Sequence, residues 1–291
     1  MYVRDYRDCP PVVVSVIGFR QHGKTIYLDS LFYAFKQLLP QHWPGFYTIP
    51  LNEECLETVN KGIKGLDRGE LPDASPKVFP RPTIVQMRGV PFQPNSTLLC
   101  YDTSGEAFEK PTQLVQYASF VKRARTVMFL IAVPKLADAA GEMDKLLNTY
   151  LIGMAELDAR TPDQHLMVVY TQADEMIPHL THWPDVQDYL KQGSIDKLAH
   201  LPAYIPQMRN VSDRLRDFTR TQLNAHEFLS KADANKANAN FKSVSFTIVS
   251  ALGAKSNGDR LSQQITPRCV LDPLLLGMEK SLPGWKQTWR R

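Results

Sequence analysis

Short apolar runs alternate with amphipathic stretches along most of the chain. Val12 to Ile17 is apolar apart from Ser15, which predicts a strand buried on both faces. Leu28, Leu31, Phe32, Phe35, Leu38 and Leu39 then recur at helical spacing. Further strands are predicted at Ser96 to Tyr101, Thr126 to Val133 and Leu166 to Tyr170. Between the last two, Met143, Leu146, Leu147, Tyr150, Leu151, Met154 and Leu157 form a helical stripe. Val244, Phe246 and Ile248 alternate in a last strand, and Asp272-Pro273 reads as an N-cap and first helical residue before Leu274 to Met278. Alternating strands and helices predict an α/β fold, a mainly parallel sheet with helices on both faces.

Composition narrows this little. The 291 residues carry 34 Lys+Arg against 30 Asp+Glu, a net +4 that permits an acidic partner without requiring one. The 22% charged and 10% aromatic content is that of a globular protein. Cys9, Cys55, Cys100 and Cys269 form no CxxC pair, so neither a disulfide framework nor a zinc site is expected, and a reduced, cytoplasmic compartment fits. The N-terminus, with Asp5 and Asp8, has no apolar signal segment, and Val127 to Val133 falls short of the about 20 residues that span a bilayer.

The chemistry begins after the first strand. Gly18-Phe19-Arg20-Gln21-His22-Gly23-Lys24-Thr25 matches GxxxxGK[ST] between a strand and a helix. Glycines at the two ends let backbone N–H groups curl around phosphates, and the helix N-terminus adds its dipole. Lys24 would reach the β- and γ-phosphates and the Thr25 hydroxyl would ligate Mg²⁺. At the end of the next long strand, Asp102 is badly solvated unless it faces a site, and hydrated Mg²⁺ would satisfy it. Gly105 can bring its N–H against a γ-phosphate. After Leu166 to Tyr170 comes Thr171-Gln172-Ala173-Asp174, whose Asp174 would accept the N1–H and N2–H₂ donors of guanine. Beyond Phe246 to Val249, backbone N–H groups at Ser250-Ala251-Leu252 would meet the guanine O6. All four signals sit where strands end, the edge at which open α/β sheets bind ligands.

With these four motifs in this order, the chain resembles the P-loop GTPases of the translation-factor and Ras-like class over about residues 11–280. Gly69 to Ser75 and Val270 to Leu275 are similar to segments of GTPase domains from bacterial multi-gene conflict systems, including the "double-GTPase" group. The resemblance implies a three-layer P-loop NTPase fold. It implies an N-terminal extension (1–10), a GTPase-like domain (11–280) with helical insertions at about 45–75 and 176–240, and a tail (281–291). It further implies GTP/GDP and Mg²⁺ as cofactors and slow GTP hydrolysis without a partner. The role would be that of a nucleotide-dependent switch in a larger system, with switch segments around 70–85 and 102–113.

By position, Gly18, Gln21, His22, Gly23, Lys24, Thr25, Gly105, Thr171, Gln172, Asp174, Ser250, Ala251 and Leu252 would bind nucleotide, and Thr25, Asp102 and Thr83 would serve the metal. Lys24, Glu106 and Arg20 would be catalytic. Several positions depart from the family pattern. Gln172 replaces the lysine whose stem covers the base, which leaves an ATP-accepting NTPase open. Glu106 stands where Ras-like enzymes orient water with glutamine, and its charge would repel a γ-phosphate. A hydrolytically silent, GTPase-like scaffold is therefore a second alternative. Arg20 would either stabilise the transition state or face solvent, and His22 would shape the loop. Ser75 and Thr83 both qualify as the hydroxyl that closes over Mg²⁺.

Leu51, Cys55, Leu56, Val59, Ile63 and Leu66 predict an extra helix in the first insertion. Val211, Leu215, Phe218, Ala225 and Phe228 predict another in the second, ringed by Arg209, Arg214, Arg216 and Arg220. These would be core-packing helices or a surface for a protein partner or a second copy. Ala232 to Asn240 reads as a loop or fraying helix end. His179 and His182 lack a third metal ligand. The Trp285–Arg291 tail, which mixes tryptophan and basic residues, reads as a frayed terminus.

Overall fold

The computed structural model describes residues 8–72, 75–91, 93–132, 138–193, 196–233, 239–253, 256–257, 260–261 and 265–281. All of the expected tail but Ser281 and most of the expected N-terminal extension lie outside them, as does much of Ala232 to Asn240. Seven strands form one sheet: β1 (Pro11–Ile17), β2 (Tyr47–Pro50), β3 (Thr83–Arg88), β4 (Ser96–Tyr101), β5 (Thr126–Ala132), β6 (His165–Thr171) and β7 (Ser243–Ile248). Their order is β2-β3-β4-β1-β5-β6-β7. β4, β1, β5, β6 and β7 run parallel, while β3 pairs antiparallel with both β4 and β2. Every residue of β5 and β6 is buried, as strands in the middle of a sheet covered on both faces must be. The sheet is mainly parallel with helices on both faces, the three-layer α/β arrangement expected from the sequence.

The helices are α1 (Lys24–Tyr33), α2 (Glu53–Asp67), α3 (Pro111–Tyr117), α4 (Ala139–Glu156), α5 (Pro184–Gln192), α6 (Leu201–Thr221), α7 (His226–Ala232) and α8 (Asp272–Ser281). α1 continues through a π-turn at Ala34–Leu38 into a last turn at Leu39–His42. α4 packs on β5, α6 on β7, α8 on β5 and β6, and α2 lies along α1. No helix among the described residues is long and apolar enough to cross a membrane. All four cysteines are buried and free.

The structure departs from the sequence pattern at several points. β2 has no apolar run to announce it, since Tyr47 and Ile49 are half-exposed on a sheet edge. On α2, Cys55, Val59, Ile63 and Leu66 are buried as expected, but Leu56 faces outward at 44% exposure and Leu51 precedes the helix. Asn52 caps α2, accepting from the Cys55 N–H at 2.9 Å. The helix expected from Val211 to Phe228 is two helices, because the chain turns at Gln222–Ala225 between α6 and α7. Its arginines are engaged within the chain: Arg209 with Glu279, Arg214 with Asp185, Arg216 with Asp233 and Arg220 with Asp217.

Asp272 does not act as the expected cap. Its carboxylate is buried and accepts from the Tyr189 hydroxyl (2.6 Å) and the Tyr204 hydroxyl (2.8 Å), joining α8 to α5 and α6. Burial raises its pKa from 3.8 to about 7, against the hydrogen bonds of Tyr189, Tyr204 and Cys269. The folded protein therefore binds a proton that the unfolded chain releases, so stability from this group grows as pH falls from about 7 toward 4. Asp272→Asn is expected to remove that component, which is at most about 1.4 kcal/mol per pH unit. Urea titrations at about pH 8 and about pH 5 measure it: the wild type should gain on the variant at the lower pH, and an unchanged gap would contradict this account of Asp272.

Candidate functional site

β1 sits between β4 and β5, and the parallel strands bring the residues following β1, β4, β6 and β7 to one edge of the sheet. The loop Gly18–Gly23 leaves β1 there. Gly23 and Gln21 adopt left-handed conformations (φ 76° and 64°), which turn the chain back into α1. A side chain at Gly18 would meet the Leu130 carbonyl oxygen at 2.9 Å. His22 is fully buried, with Nδ1 at 2.6 Å from the Leu130 oxygen and Nε2 at 3.2 Å from Glu142. It braces the loop against β5 and α4.

Lys24 donates to the carbonyls of Gly18 and Phe19, both at 2.9 Å. Burial pushes its pKa from 10.5 down to about 8, opposed by the charge of Asp102. The Thr25 hydroxyl reaches both Asp102 carboxylate oxygens (3.2 and 3.0 Å). Ser75 joins them, 3.0 Å from Thr25 and donating to Asp102 at 2.8 Å. Thr83 instead starts β3 opposite Cys100. Two hydroxyls and a carboxylate make a hard, all-oxygen set, suited to a magnesium ion that keeps waters and phosphate oxygens as its other ligands. The described residues hold no group of three or more His, Cys, Asp or Glu side chains fit for a metal.

After β4, Gly105 lies against the phosphate loop so closely that a Cβ would come within 2.3 Å of the Arg20 nitrogen and 2.5 Å of the Phe19 carbonyl carbon. Glu106, next along, is ion-paired with Arg20 on one carboxylate oxygen and with Lys77 at 3.4 Å on the other. At the far end, Thr171 donates to the carbonyls of His22 (3.0 Å) and Ile131 (3.3 Å), and the Gln172 amide donates to that of Gln21 (3.1 Å). Ser250 donates to Asp174 at 2.6 Å and accepts from the Gly253 N–H at 3.1 Å. The Ala251 carbonyl accepts from Ser30 on α1, and the Leu252 carbonyl from the Thr266 N–H. The site residues named from sequence thus lie along one edge of the sheet; Thr83 borders the same cleft as Thr25 and Asp102, while Ser75 is the hydroxyl bonded to them.

No family model and no curated protein matches the chain. Solved structures similar to it include the S. cerevisiae Ski7 GTPase-like domain bound to GTP, at 13% identity and a TM-score of 0.41. The same domain bound to GDP and inorganic phosphate matches at 14% identity and 0.39. Each match covers 97% of this chain and 53% of the other, so the chain spans about half the length of those structures.

Two residues at the site escaped the sequence reading. Lys77 carries no motif and is placed only by folding. Asp29, one turn after Thr25 on α1, is partly buried, and desolvation together with the charge of Asp102 raises its pKa to about 7 while Lys61 opposes the shift. Its carboxylate faces Gly62 of α2, where a Cβ would collide with it at 2.1 Å. Thr25, Asp29, Ser75, Thr83, Lys61 and Asp102 line a cleft of about 790 Å³ between α1 and α2. Its i, i+4 spacing from Thr25 was the one available signal for Asp29.

The contact at Gly105 is with backbone, which cannot step aside. Gly105→Ala is expected to destabilise the fold by about 1–3 kcal/mol. Gly141→Ala, in α4 with nothing within 4 Å of a new Cβ, should stabilise by about 0.5–1 kcal/mol. Denaturant titration of both variants checks the pair. Equal stability of Gly105→Ala and wild type would contradict the close approach.

Proposed function

We infer that this edge is a guanine-nucleotide site and that the protein binds Mg²⁺-GTP and hydrolyses it slowly. The observation that carries the reading is the convergence of Lys24, the Thr25–Ser75–Asp102 oxygens and the Ser250–Asp174 pair on the edge where the loop leaves β1. Lys24 and the loop amides neutralise phosphate charge. Thr25, Ser75 and Asp102 would hold Mg²⁺, which would supply positive charge against that of the phosphates. Ser75 takes the closing role that sequence left open between it and Thr83. Gly105, against Arg20, is placed to give its N–H to the γ-phosphate. Asp174, aligned by Ser250, accepts both guanine edge donors. Adenine has no matching pair, so selectivity survives the replacement of lysine by Gln172.

A second reading, a nucleotide-binding scaffold with little turnover, is favoured by Glu106: both its carboxylate oxygens are engaged by cations rather than free to take a proton from water. Gly69 to Ser75 and Val270 to Leu275 suggest a nucleotide-dependent switch within a bacterial conflict system, which the neighbouring genes would test. Val270, Leu271, Leu274 and Leu275 are buried, so their pattern also serves packing.

Equilibrium titration with GDP and with non-hydrolysable GTP and ATP analogues decides the guanine reading. The guanine analogue is expected to bind on the order of tenfold to a hundredfold tighter than the adenine one, the worth of one bidentate base contact. Asp174→Ala should erase that difference, Lys24→Ala should abolish triphosphate binding, and chelating Mg²⁺ should weaken triphosphate more than diphosphate. Equal affinity for the two bases would overturn the guanine assignment. A single-turnover assay with Lys24→Ala as control separates slow hydrolysis from none.

A further inference from the structure

Glu106 draws together three segments that are distant in sequence. One carboxylate oxygen is paired with Arg20 of the phosphate loop, the other with Lys77 of the segment that enters β3. Lys77 is held further by the Tyr117 ring, 5.9 Å from its Nζ to the centroid. Gln113, with its amide turned to satisfy both neighbours, accepts from Lys77 at 3.0 Å and donates to the Glu106 carbonyl at 2.6 Å. Gly105, one residue before Glu106, touches the Arg20 backbone. Two residues before Lys77, Ser75 bonds to Thr25 and Asp102. A carboxylate thus lies between two cations at the rim of the phosphate loop, and the short Ser75–Lys77 segment touches both the metal-side oxygens and this carboxylate.

We propose that Arg20 and Lys77 are the residues that distinguish a nucleoside triphosphate from a diphosphate, and that Glu106 is a built-in anion competing with the γ-phosphate for them. The proposal rests on the guanine-nucleotide reading above and deepens it. Without a terminal phosphate, Glu106 neutralises both cations and holds the Lys77 segment and the phosphate loop together. A γ-phosphate brings more negative charge to the same cations, takes them over and repels Glu106. Arg20 is 68% exposed, so its pair with Glu106 is screened and readily exchanged, as a competing contact must be. A terminal phosphate carries about twice the charge of a carboxylate and one more acceptor oxygen, so at the same two cations it is the stronger partner. The triphosphate therefore shifts the equilibrium by its differential affinity, and the diphosphate, without the terminal group, does not.

The test compares GDP with a non-hydrolysable GTP analogue, in Mg²⁺, on the full chain and on Glu106→Gln, Lys77→Met and the double variant. Glu106→Gln removes the competitor and keeps the shape, so affinity for the GTP analogue should rise about tenfold while GDP changes less than about twofold. Lys77→Met should lower affinity for the analogue about five- to tenfold and leave GDP unchanged. In the double variant the gain from Glu106→Gln should be smaller than in the single one, because one of the two cations is gone. Thermal melts of the four proteins confirm that each is folded. A Glu106→Gln variant that shifts both nucleotides equally, or weakens the analogue, overturns the competition while leaving the guanine site intact. Wild type that binds neither nucleotide overturns both the competition and the reading beneath it.

Discussion

A loop that curls its backbone around a small anion cannot satisfy its carbonyls through a helix or a strand ladder, so other groups must do it. In this chain the side-chain donors to four of the loop carbonyls come from two places, Lys24 and the residues just beyond β6. The Gly18 and Phe19 carbonyls accept from Lys24 at the loop's own end, while Gly23, already at the helix start, is paired in the helical manner with the Tyr27 N–H. The Gln21 carbonyl accepts from Gln172 and the His22 carbonyl from Thr171, both beyond β6. His22 reaches across to β5 and α4, and Gly105 closes the remaining side. The loop's shape is therefore a property of the sheet edge, and changes after β4 or β6 are felt at the loop without touching a ligand.

The same arrangement concentrates awkward charge. Lys24, Asp29 and Asp272 all have pKa values moved toward neutrality, chiefly by burial. Asp272 is tied into a hydrogen-bonded cluster with Tyr189 and Tyr204, and Lys24 makes do with two carbonyls. A lysine held this way is desolvated before any phosphate arrives, so less solvation remains to be lost on binding. The structure carries that cost in its stability, a common compromise at sites built for ligands.

Long apolar strands and the motifs that follow them were legible in the sequence because burial on both faces leaves a continuous signature. β1, β4, β5 and β6 were each visible this way, and motif residues follow β1, β4 and β6. β2 left no such signature, since an edge strand four residues long needs only backbone pairing with β3. Leu56 and Ala225 followed a helical period, yet Leu56 faces outward and Ala225, though buried, lies in the turn between α6 and α7, because periodicity does not say where a helix stops or how far its stripe is covered. Ser75 and Thr83 were equivalent as residue types, and only the path of the chain between α2 and β3 sets Ser75 against Thr25 and Asp102. Lys77 was invisible for the same reason: a lone lysine acquires meaning from the carboxylate it meets.

The two ends of the site are anchored to different parts of the molecule. At the base end, Ser250 is bridged through backbone to Arg268, and Cys269 and Asp272 follow within four residues; Asp272 is bound to Tyr189 and Tyr204 of α5 and α6. At the phosphate end, Glu106 and Lys77 connect to α3 and to the segment before β3. Asp174 and Ser250 are thus backed by buried hydrogen bonds that resist exchange, whereas Arg20, Glu106 and Lys77 are joined by partly exposed ion pairs that do not. Under the nucleotide reading proposed above, a site built this way would keep its base end fixed while its phosphate end rearranges, the division of labour that reading a terminal phosphate requires.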